Sequence, residues 1–589
     1  MLTDNLSTIA AAPNGVKRLR ELILQLAVRG RLVEQDSDEE PAGKILARIQ
    51  KRRERHLKAG TLKKDKKFWD GLPSSPPFPL PSSWLWVRIQ DVYEVSRGGS
   101  PRPAGDPQFF GGDIPWVTVA EITKDDGKFL DQTADGLTLE GTKRSRFIEP
   151  GDLLLTNSGA TLGVPKISNI KGCINDGVAL LRQFHDEDIN DFAYLFLRSQ
   201  TPYFRKVNQG MGQPNLNTSI IAGWFMPMPP LSEQRRIVTK VDELMLLCDQ
   251  LDLHQLDAET VHGRLVQLLL SALTAGEPQE FSNAWERIAD NFDVLFASNE
   301  SIVLLKRTLI QLATMGRLGT HQAIDEPASS VISLIRERKA KLIRSGQLPK
   351  EKPVSPVSEV EIPYKVPSGW AWARIGDLSL RTDYGISEKT FEMNDGVPVL
   401  KMGDIQEGRV VLGGQKRTTE ECVPKELFLK PNDLLYNRTN SAELVGKTGL
   451  FEGPADEYTF ASYLIRIRVP DDLVLPSYLN LAMNAPNFRA TQIIPHVKQQ
   501  CGQANVNGTV MRNMLVPIPP TDEQRRIVAR IGRLLAICDE LGKFLRESSA
   551  FSETLSQVLI GKCFEARNGA EEVGMVHPGK DQDLGVLCI

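Results

Sequence analysis

The residues that could do chemistry lie in short, polar, turn-rich strings that come in pairs. In the first half they are Arg97-Gly98-Gly99-Ser100-Pro101-Arg102, Thr156-Asn157-Ser158-Gly159 and Gln213-Pro214-Asn215. In the second half they are Tyr384-Gly385-Ile386-Ser387, Asn437-Arg438-Thr439-Asn440 and Gln503-Ala504-Asn505. Arginine pairs bidentately with guanine, and asparagine or glutamine with adenine, so these donors suit base edges. The DNA-contact candidates are therefore Arg97, Ser100, Arg102, Thr156, Asn157, Ser158, Gln213 and Asn215 in one half. In the other they are Tyr384, Ser387, Asn437, Arg438, Asn440, Gln503 and Asn505. Asparagine and glycine are also ordinary turn residues, which is the competing reading of each string.

A second kind of chemistry is suggested by charge. Lys44 to Lys67 holds eleven basic residues against Glu54 and Asp65, a net of +9, and Ser330 to Pro353 carries a net of +5. Such clusters displace the counterions condensed on a phosphate backbone. Lys51, Arg52, Arg53, Arg55, Lys63 and Lys64 are the phosphate-contact candidates. The plain alternative is a solvated helix face.

Catalytic motifs fail on inspection. Ser441-Ala442-Glu443-Leu444-Val445-Gly446-Lys447-Thr448 approaches a P-loop, but its first position is serine where the phosphate wrap needs glycine. Ser75-Pro76-Pro77-Phe78 fits the short pattern with which amino-methyltransferases hold a flipped adenine. It sits in a proline-rich linker, follows no apolar strand and has no glycine-rich cofactor loop before it. The seven histidines form no HExxH pair, and the seven cysteines include no CxxC pair, so no metal site is expected. Scattered cysteines of odd number fit a reducing cytoplasm better than a disulfide framework.

The whole chain bounds these readings. Its 589 residues suffice for about four domains. With 41% hydrophobic and 25% charged residues it is of ordinary globular composition, neither largely disordered nor fibrous. No apolar run reaches the roughly 18 residues of a membrane span, and Met1 to Asn14 does not read as a signal peptide. The net charge is -3, so a nucleic-acid binder of this balance must concentrate positive charge locally.

The elements that position the strings form a tandem repeat. Gln25-Leu26-Ala27 with Gly30-Arg31-Leu32 returns as Gln311-Leu312-Ala313 with Gly316-Arg317-Leu318, at an offset of 286. Pro81-Ser82-Ser83-Trp84-Leu85-Trp86 returns as Pro367-Ser368-Gly369-Trp370-Ala371-Trp372 at the same offset. Pro229-Pro230 and Glu233-Gln234-Arg235-Arg236-Ile237-Val238 return 290 residues later as Pro519-Pro520 and Glu523-Gln524-Arg525-Arg526-Ile527-Val528. Between these flanks the offset drifts, as loop insertions on a retained framework would make it. Helices are predicted over Leu19 to Leu32, Ile45 to Leu57, Leu304 to Leu318 and Val331 to Ile343. Proline-rich linkers follow at Gly71 to Pro79 and Pro349 to Pro367, and then two divergent bodies, about 82–226 and 368–516, that mix β-branched runs with turns.

Each body is followed by a long helix. Ile237, Val241, Leu244, Cys248 and Leu251 step by four and three, and Val261, Leu265, Leu268 and Ala272 do the same. Ile527, Ile531, Leu534, Cys538, Leu541 and Leu545 repeat the spacing. A 3.5-residue period is a coiled-coil seam, for which Ile237, Val241, Leu244, Leu251, Ile527, Ile531, Leu534 and Leu541 are the pairing residues. An amphipathic helix packed on its own domain is the alternative. Glu233 to Leu256 alone would span roughly 36 Å, near one turn of duplex DNA, the spacing of two half-sites on one side.

The order of features resembles the specificity subunit of Type I restriction-modification enzymes. The resemblance rests on Gly111-Gly112-Asp113-Ile114-Pro115-Trp116-Val117, Pro150-Gly151-Asp152-Leu153-Leu154, Gln213-Pro214-Asn215-Leu216-Asn217 and Pro229-Pro230-Leu231-Ser232-Glu233-Gln234-Arg235-Arg236-Ile237. Pro431-Asn432-Asp433-Leu434-Leu435 and Pro519-Pro520-Thr521-Asp522-Glu523-Gln524 repeat it. The basic helical segment before each body resembles the branch with an N-terminal conserved region. The resemblance implies an α+β chain with two similar α/β target recognition domains on long antiparallel coiled-coil helices. Each domain would read one half of a split, asymmetric double-stranded DNA site. Two modification subunits would dock on the helices and methylate adenine with S-adenosylmethionine, and two restriction subunits would add ATP- and magnesium-dependent translocation and cleavage. The chain itself would be non-catalytic, bind no cofactor or metal, and work in a bacterial or archaeal cytoplasm. Expected boundaries are 1–78 for the N-terminal helical region and linker, 79–228 for the first recognition domain, and 229–275 for the central helix. The second copy would run 276–365, 366–518 and 519–566, and 567–589 would be a disordered tail. The duplication also suggests a ring, in which 301–344 pairs with 231–272 and 17–58 pairs with 523–565. The rival readings are a self-sufficient DNA adenine methyltransferase and a bivalent protein-binding scaffold.

Overall fold

The computed structural model describes residues 9, 10, 12–62, 68, 69, 71–207, 215–275, 278–318, 321, 322, 325–500 and 503–565. The expected disordered tail thus lies outside the described residues. The chain forms two compact units, 1–257 with 549–589, and 258–548.

The first unit opens with helix α1 (Gly15–Val28), whose Leu19, Leu22, Ile23 and Leu26 fall on one buried stripe. It ends at Gly30, where φ is +67° and an added Cβ would lie 2.6 Å from Pro81. A left-handed residue closing a helix wants glycine. Gly316 has the same conformation and the same collision, with Pro367 at 2.4 Å, which explains the repeated Gly-Arg-Leu string. Helix α2 (Ala42–Lys58) follows, then strands β1 (Leu85–Arg88) and β2 (Tyr93–Arg97). The body continues with β3 (Phe110–Val117), β4 (Phe129–Leu130), β5 (Leu153–Thr156), β6 (Pro165–Ser168), β7 (Gly172–Ile174) and β8 (Val178–Gln183). Helices α3 (Asn190–Phe204) and α4 (Thr218–Gly223), strand β9 (Phe225–Met228) and the long helix α5 (Leu231–Ala275) complete it.

The main sheet has the order β2-β8-β5-β6-β4, and β1 pairs separately with β9. β5 is buried along its length because both sheet faces are covered. Its residues alternate between two cores, as a period of two demands. Leu153 and Leu155 join Phe192, Leu195 and Phe196 of α3. Leu154 points the other way, to Val117 of β3 and Ile174 of β7, which pair in parallel in a second, smaller sheet.

The second unit repeats this plan. Helix α6 (Pro278–Asp290) precedes α7 (Asn299–Thr314) and α8 (Ala328–Arg344). Strands β10 (Ala371–Arg374), β11 (Arg381–Tyr384), β12 (Leu434–Asn437), β13 (Thr439–Asn440), β14 (Thr448–Leu450) and β15 (Leu464–Arg468) lead to α9 (Pro476–Met483). Strand β16 (Gln503–Asn505), α10 (Gly508–Asn513), β17 (Leu515–Ile518) and the 45-residue helix α11 (Thr521–Glu565) close the chain. The main sheet runs β11-β15-β12-β14, the order seen in the first unit, with two short strands added.

The duplicated strings prove to be one structural clamp used twice. Trp84 donates its indole N–H to buried Glu233 at 2.8 Å, and Trp370 donates to buried Glu523 at 2.9 Å. Gln234 and Gln524 donate to the carbonyls of Pro229 and Pro519 at 2.9 and 3.0 Å. The clamp fixes the start of each long helix to its own body. Burial pushes the Glu233 carboxyl above its ordinary pKa, against the pull of the Trp84 and Gln35 donors.

Helix pairing differs in part from the expected coiled coil. The first part of α5 packs antiparallel to α1. Arg20 pairs with Asp249 and Asp252, Gln255 donates to the Ala10 carbonyl, and Gln35 reaches Glu233. In the second unit α7 packs antiparallel to the first part of α11, with Lys306 on Asp539 and Arg546 on Asn299. Ile237, Val241 and Cys248, like Ile527, Ile531 and Cys538, are buried in the cores of their own units, with Leu244, Leu534 and Leu541 at the margin. The 3.5-residue spacing therefore reflects a helix packed on its own half, the alternative reading. Leu251 is more than a third exposed and is not a seam residue. Val261, Leu265 and Leu268 are also exposed, and α5 there buries Val266, Leu270 and Leu273 against Leu305, Leu309 and Leu312 of α7. The expected pairing of 301–344 with 231–272 is thus found only where α7 meets the last part of α5, the first part being taken by α1. The expected pairing of 17–58 with 523–565 is likewise confined to one contact among the described residues. Arg18 of α1 donates to the Glu553 carbonyl at 3.0 Å and forms an ion pair with its carboxylate.

Candidate nucleic-acid interface

In the first unit two of the polar strings converge on a turn that the sequence reading passed over, Asn175-Asp176-Gly177. Arg97, exposed at the end of β2, donates Nε to the Asp176 carbonyl at 2.6 Å. Ser100 donates to the Asp176 carboxylate at 2.5 Å. Asn157 donates its backbone N–H to the Gly177 carbonyl at 2.9 Å. Ser158 then bridges to Asn215, and the Leu216 N–H bonds the Asn157 carbonyl, which ties in the third string. An Asn-Asp-Gly run is itself a turn signal, and Asp176 could have been found by it. Arg102 lies exposed just beyond, its carbonyl accepting from Arg144 at 3.4 Å. Gln213 falls outside the described residues.

The second unit builds the same edge with different side chains. Thr439 and Asn440 of β13 pair with Asn505 and Ala504 of β16. Arg438 stacks over the Tyr384 ring at 5.0 Å and donates Nη1 to the Ser462 carbonyl at 3.1 Å. The Tyr384 hydroxyl accepts from the Gly508 N–H at 2.7 Å, beside the Asn507 N-cap of α10. Ser387 and Asn505 are exposed, Asn440 is half-buried, and Gln503 has only its strand position described.

Three candidates are corrected. Thr156, Asn157 and Asn437 are buried, so their side chains reach no base edge. The Thr156 hydroxyl donates to the Thr161 carbonyl at 2.7 Å and accepts from the Val164 N–H at 2.8 Å, which shapes the following turn. Asn437 donates Nδ2 weakly to the Leu444 carbonyl at 3.4 Å. The Asn157 side-chain amide has no hydrogen-bond partner among the described residues. Strand ends carry polar residues inward when the next loop folds back over them, which sequence spacing does not reveal.

The basic helices are partly committed to their own bodies. Arg48 pairs with Glu40 and Glu187, and Arg52 with Asp186. Arg53 is half-buried, while Lys51 and Arg55 stay exposed; Lys63 and Lys64 lie outside the described residues. In α8, Arg336 pairs with Asp377, Arg338 with Asp472, and Lys339 with Glu351.

His321, Asp325 and Glu523 form a metal-like cluster that the motif search missed. It is the second clamp. His321 sits 3.2 Å from Glu523, and Asp325 pairs with Arg526. In the first unit Gln35, Glu39 and Glu233 hold the same places, with Arg236 on Glu39. The linker string around Ser75 is structural as well, since the Phe78 ring packs edge-on against Trp86 at 4.8 Å.

Two modules of one plan with different polar edges also match known proteins. The family described as Type I restriction modification DNA specificity domain matches residues 81–258 and 367–547. The chain belongs to this family. It is similar to the EcoEI specificity subunit of Escherichia coli, a Type I restriction enzyme subunit, with 29% identity over 92% of this chain and 93% of that one. To the EcoAI specificity subunit of Escherichia coli it is 28% identical, over 92% and 93%. Among solved structures it is similar to the HsdS subunit from Thermoanaerobacter tengcongensis, at 17% identity and a TM-score of 0.37, over 84% of this chain and 99% of that one. The chain is a specificity subunit of the Type I class, with two family domains in tandem and a long helix between them. Among the described residues no helix is long and apolar enough to cross a membrane.

Proposed function

We propose that this chain is the non-catalytic DNA reader of a Type I restriction-modification complex. Each module reads one half of a bipartite, asymmetric site in double-stranded DNA. The observation that carries this reading is the duplicated polar edge. The same ladder positions converge in both units, yet Arg97 and Ser158 stand in one where Tyr384 and Thr439 stand in the other. A retained frame with exchanged side chains is what two different half-sites need. The base-contact set is Arg97, Ser100, Arg102, Ser158, Gln213 and Asn215 with Ser387, Arg438, Asn440, Gln503 and Asn505, and Tyr384 lies under Arg438. Lys51 and Arg55 are the exposed members of the phosphate set.

The long helices dock two modification subunits. They leave Leu246, Leu247, Leu253 and Leu256 of α5 and Ile537 and Phe544 of α11 exposed, more apolar surface than a solvated helix carries. S-adenosylmethionine, ATP and magnesium belong to those subunits and to the restriction subunits, in a bacterial or archaeal cytoplasm.

Methylation mapping in a host carrying this chain and its modification subunits tests the reading. A split adenine-methylated motif is expected. Asn215→Ala should change one half of it only, and equal loss in both halves would refute the assignment of one module to one half.

A further inference from the structure

In each module the turn that gathers the polar strings offers one carbonyl to an arginine. Asp176 accepts from Arg97, and Ser462 accepts from Arg438. The two carbonyls are equivalent by strand register. Val178 pairs with Thr156 as Leu464 pairs with Asn437, and Ala179 pairs with Arg97 as Ile465 pairs with Tyr384. The arginines nonetheless come from different places. Arg97 occupies the position of Tyr384, at the end of the edge strand. Arg438 occupies the position of Asn157, after the central strand.

Both are held before any ligand arrives. The Arg97 carbonyl accepts from Arg146 Nε at 3.0 Å. Arg438 is fixed at both ends of its residue, its N–H on the Tyr463 carbonyl at 3.0 Å and its carbonyl on the Val506 N–H at 2.9 Å. Tyr384 supports its guanidinium from below. A Cβ at Gly508 would lie 2.7 Å from the Tyr384 hydroxyl, so that support requires glycine there. One N–H of each guanidinium is spent on the anchor. Among the described residues Arg97 keeps both Nη groups, and Arg438 keeps Nη2 with the second N–H of Nη1. Such a planar, anchored pair of donors matches O6 and N7 of guanine in one fixed plane, a geometry that a lysine ammonium on its flexible stem does not hold.

We propose that Arg97 and Arg438 are the guanine readers of the two half-sites, one in each, anchored to the same turn from different strands. This rests on the half-site reading above. Tyr384 is a positioning residue for Arg438.

The test uses the full chain assembled with its modification subunits and a random duplex library, with retained sequences read out. The wild type should select one invariant G·C pair in each half. Arg97→Ala should relax that pair in one half, and Arg438→Ala in the other, each by roughly 5-fold to 150-fold. Arg97→Lys and Arg438→Lys, which keep the charge but lose the planar fork, should relax the same pairs less than alanine does. Tyr384→Leu should match Arg438→Ala at the same position, while Tyr384→Phe, which retains the ring, should relax it less. Alanine variants that lose affinity evenly but keep discrimination would mean phosphate contact and overturn the proposal. So would a single arginine change that relaxes both halves, or a wild-type motif without guanine in one half. A wild type that selects no sequence at all would remove the half-site reading itself, and this inference with it.

Discussion

The clamp at the start of each long helix makes a sharp prediction. Trp84→Phe keeps an aromatic ring near Phe192, whose ring lies 5.8 Å away edge-on, but shortens a buried indole that packs toward Gly30. It also removes the N–H to Glu233. A hydrogen bond to a charged group contributes about 1.5–3 kcal/mol, so a loss of at least about 2 kcal/mol is expected at neutral pH, with the lost packing adding to it. The effect should depend on pH. Burial raises the folded Glu233 carboxyl above its unfolded pKa, so the native state holds more protons in between and Glu233 weakens the fold as pH rises through that window. The Trp84 donor opposes this shift, and its removal widens the window upward. The cost of Trp84→Phe is therefore full above the folded pKa of the variant and shrinks as pH falls below it. Urea unfolding of the full chain from pH 4 to 8 measures this. Trp370→Phe, which loses the bond to Glu523, should cost a similar amount in the other unit. Trp86→Phe, whose indole meets only the Phe78 carbonyl at 3.1 Å, should cost about 1 kcal/mol or less, with no such pH dependence. A Trp84→Phe loss below about 0.5 kcal/mol, set against the charged-acceptor range, or a loss independent of pH, would show that Glu233 does not depend on this donor.

Three further outcomes follow from the same packing. Arg466 is fully buried between Asp383 and Asp433, so Asp383→Ala removes one of its two carboxylate partners and a charged hydrogen bond, and should cost about 1.5–3 kcal/mol in urea unfolding. Asp152→Ala should cost less, because its partner Arg182 is partly exposed and can return to water. Burial pushes the Cys173 thiol up to about 11, so residue-resolved alkylation at pH 8 should label exposed Cys422 well before Cys173. Spin labels at Lys17 and Leu555 should report a separation of roughly 20 Å, given the Arg18–Glu553 contact and 1.5 Å rise per helical residue. A distance of many tens of ångströms would disprove that the two chain ends share one unit.

The repeat, its two bodies and the four short helices were legible in the chain because matched strings in one order and a 3.6-residue period need no three-dimensional information. The polar strings at the modules' edges were legible for the same reason, since turn residues and hydrogen-bond donors announce themselves. Tertiary structure alone decided which of those donors face outward. Thr156 and Asn437 end strands of one register, and only the returning loop buries them, whereas Arg438, one residue on, reaches the surface. The partner of each long helix was equally hidden. Spacing says that Ile237, Val241 and Cys248 share a stripe, but a stripe does not name what covers it. That α1 covers it depends on contacts between residues more than 200 positions apart, such as Arg20 with Asp252. Local periodicity is written along one chain segment; docking is a property of two.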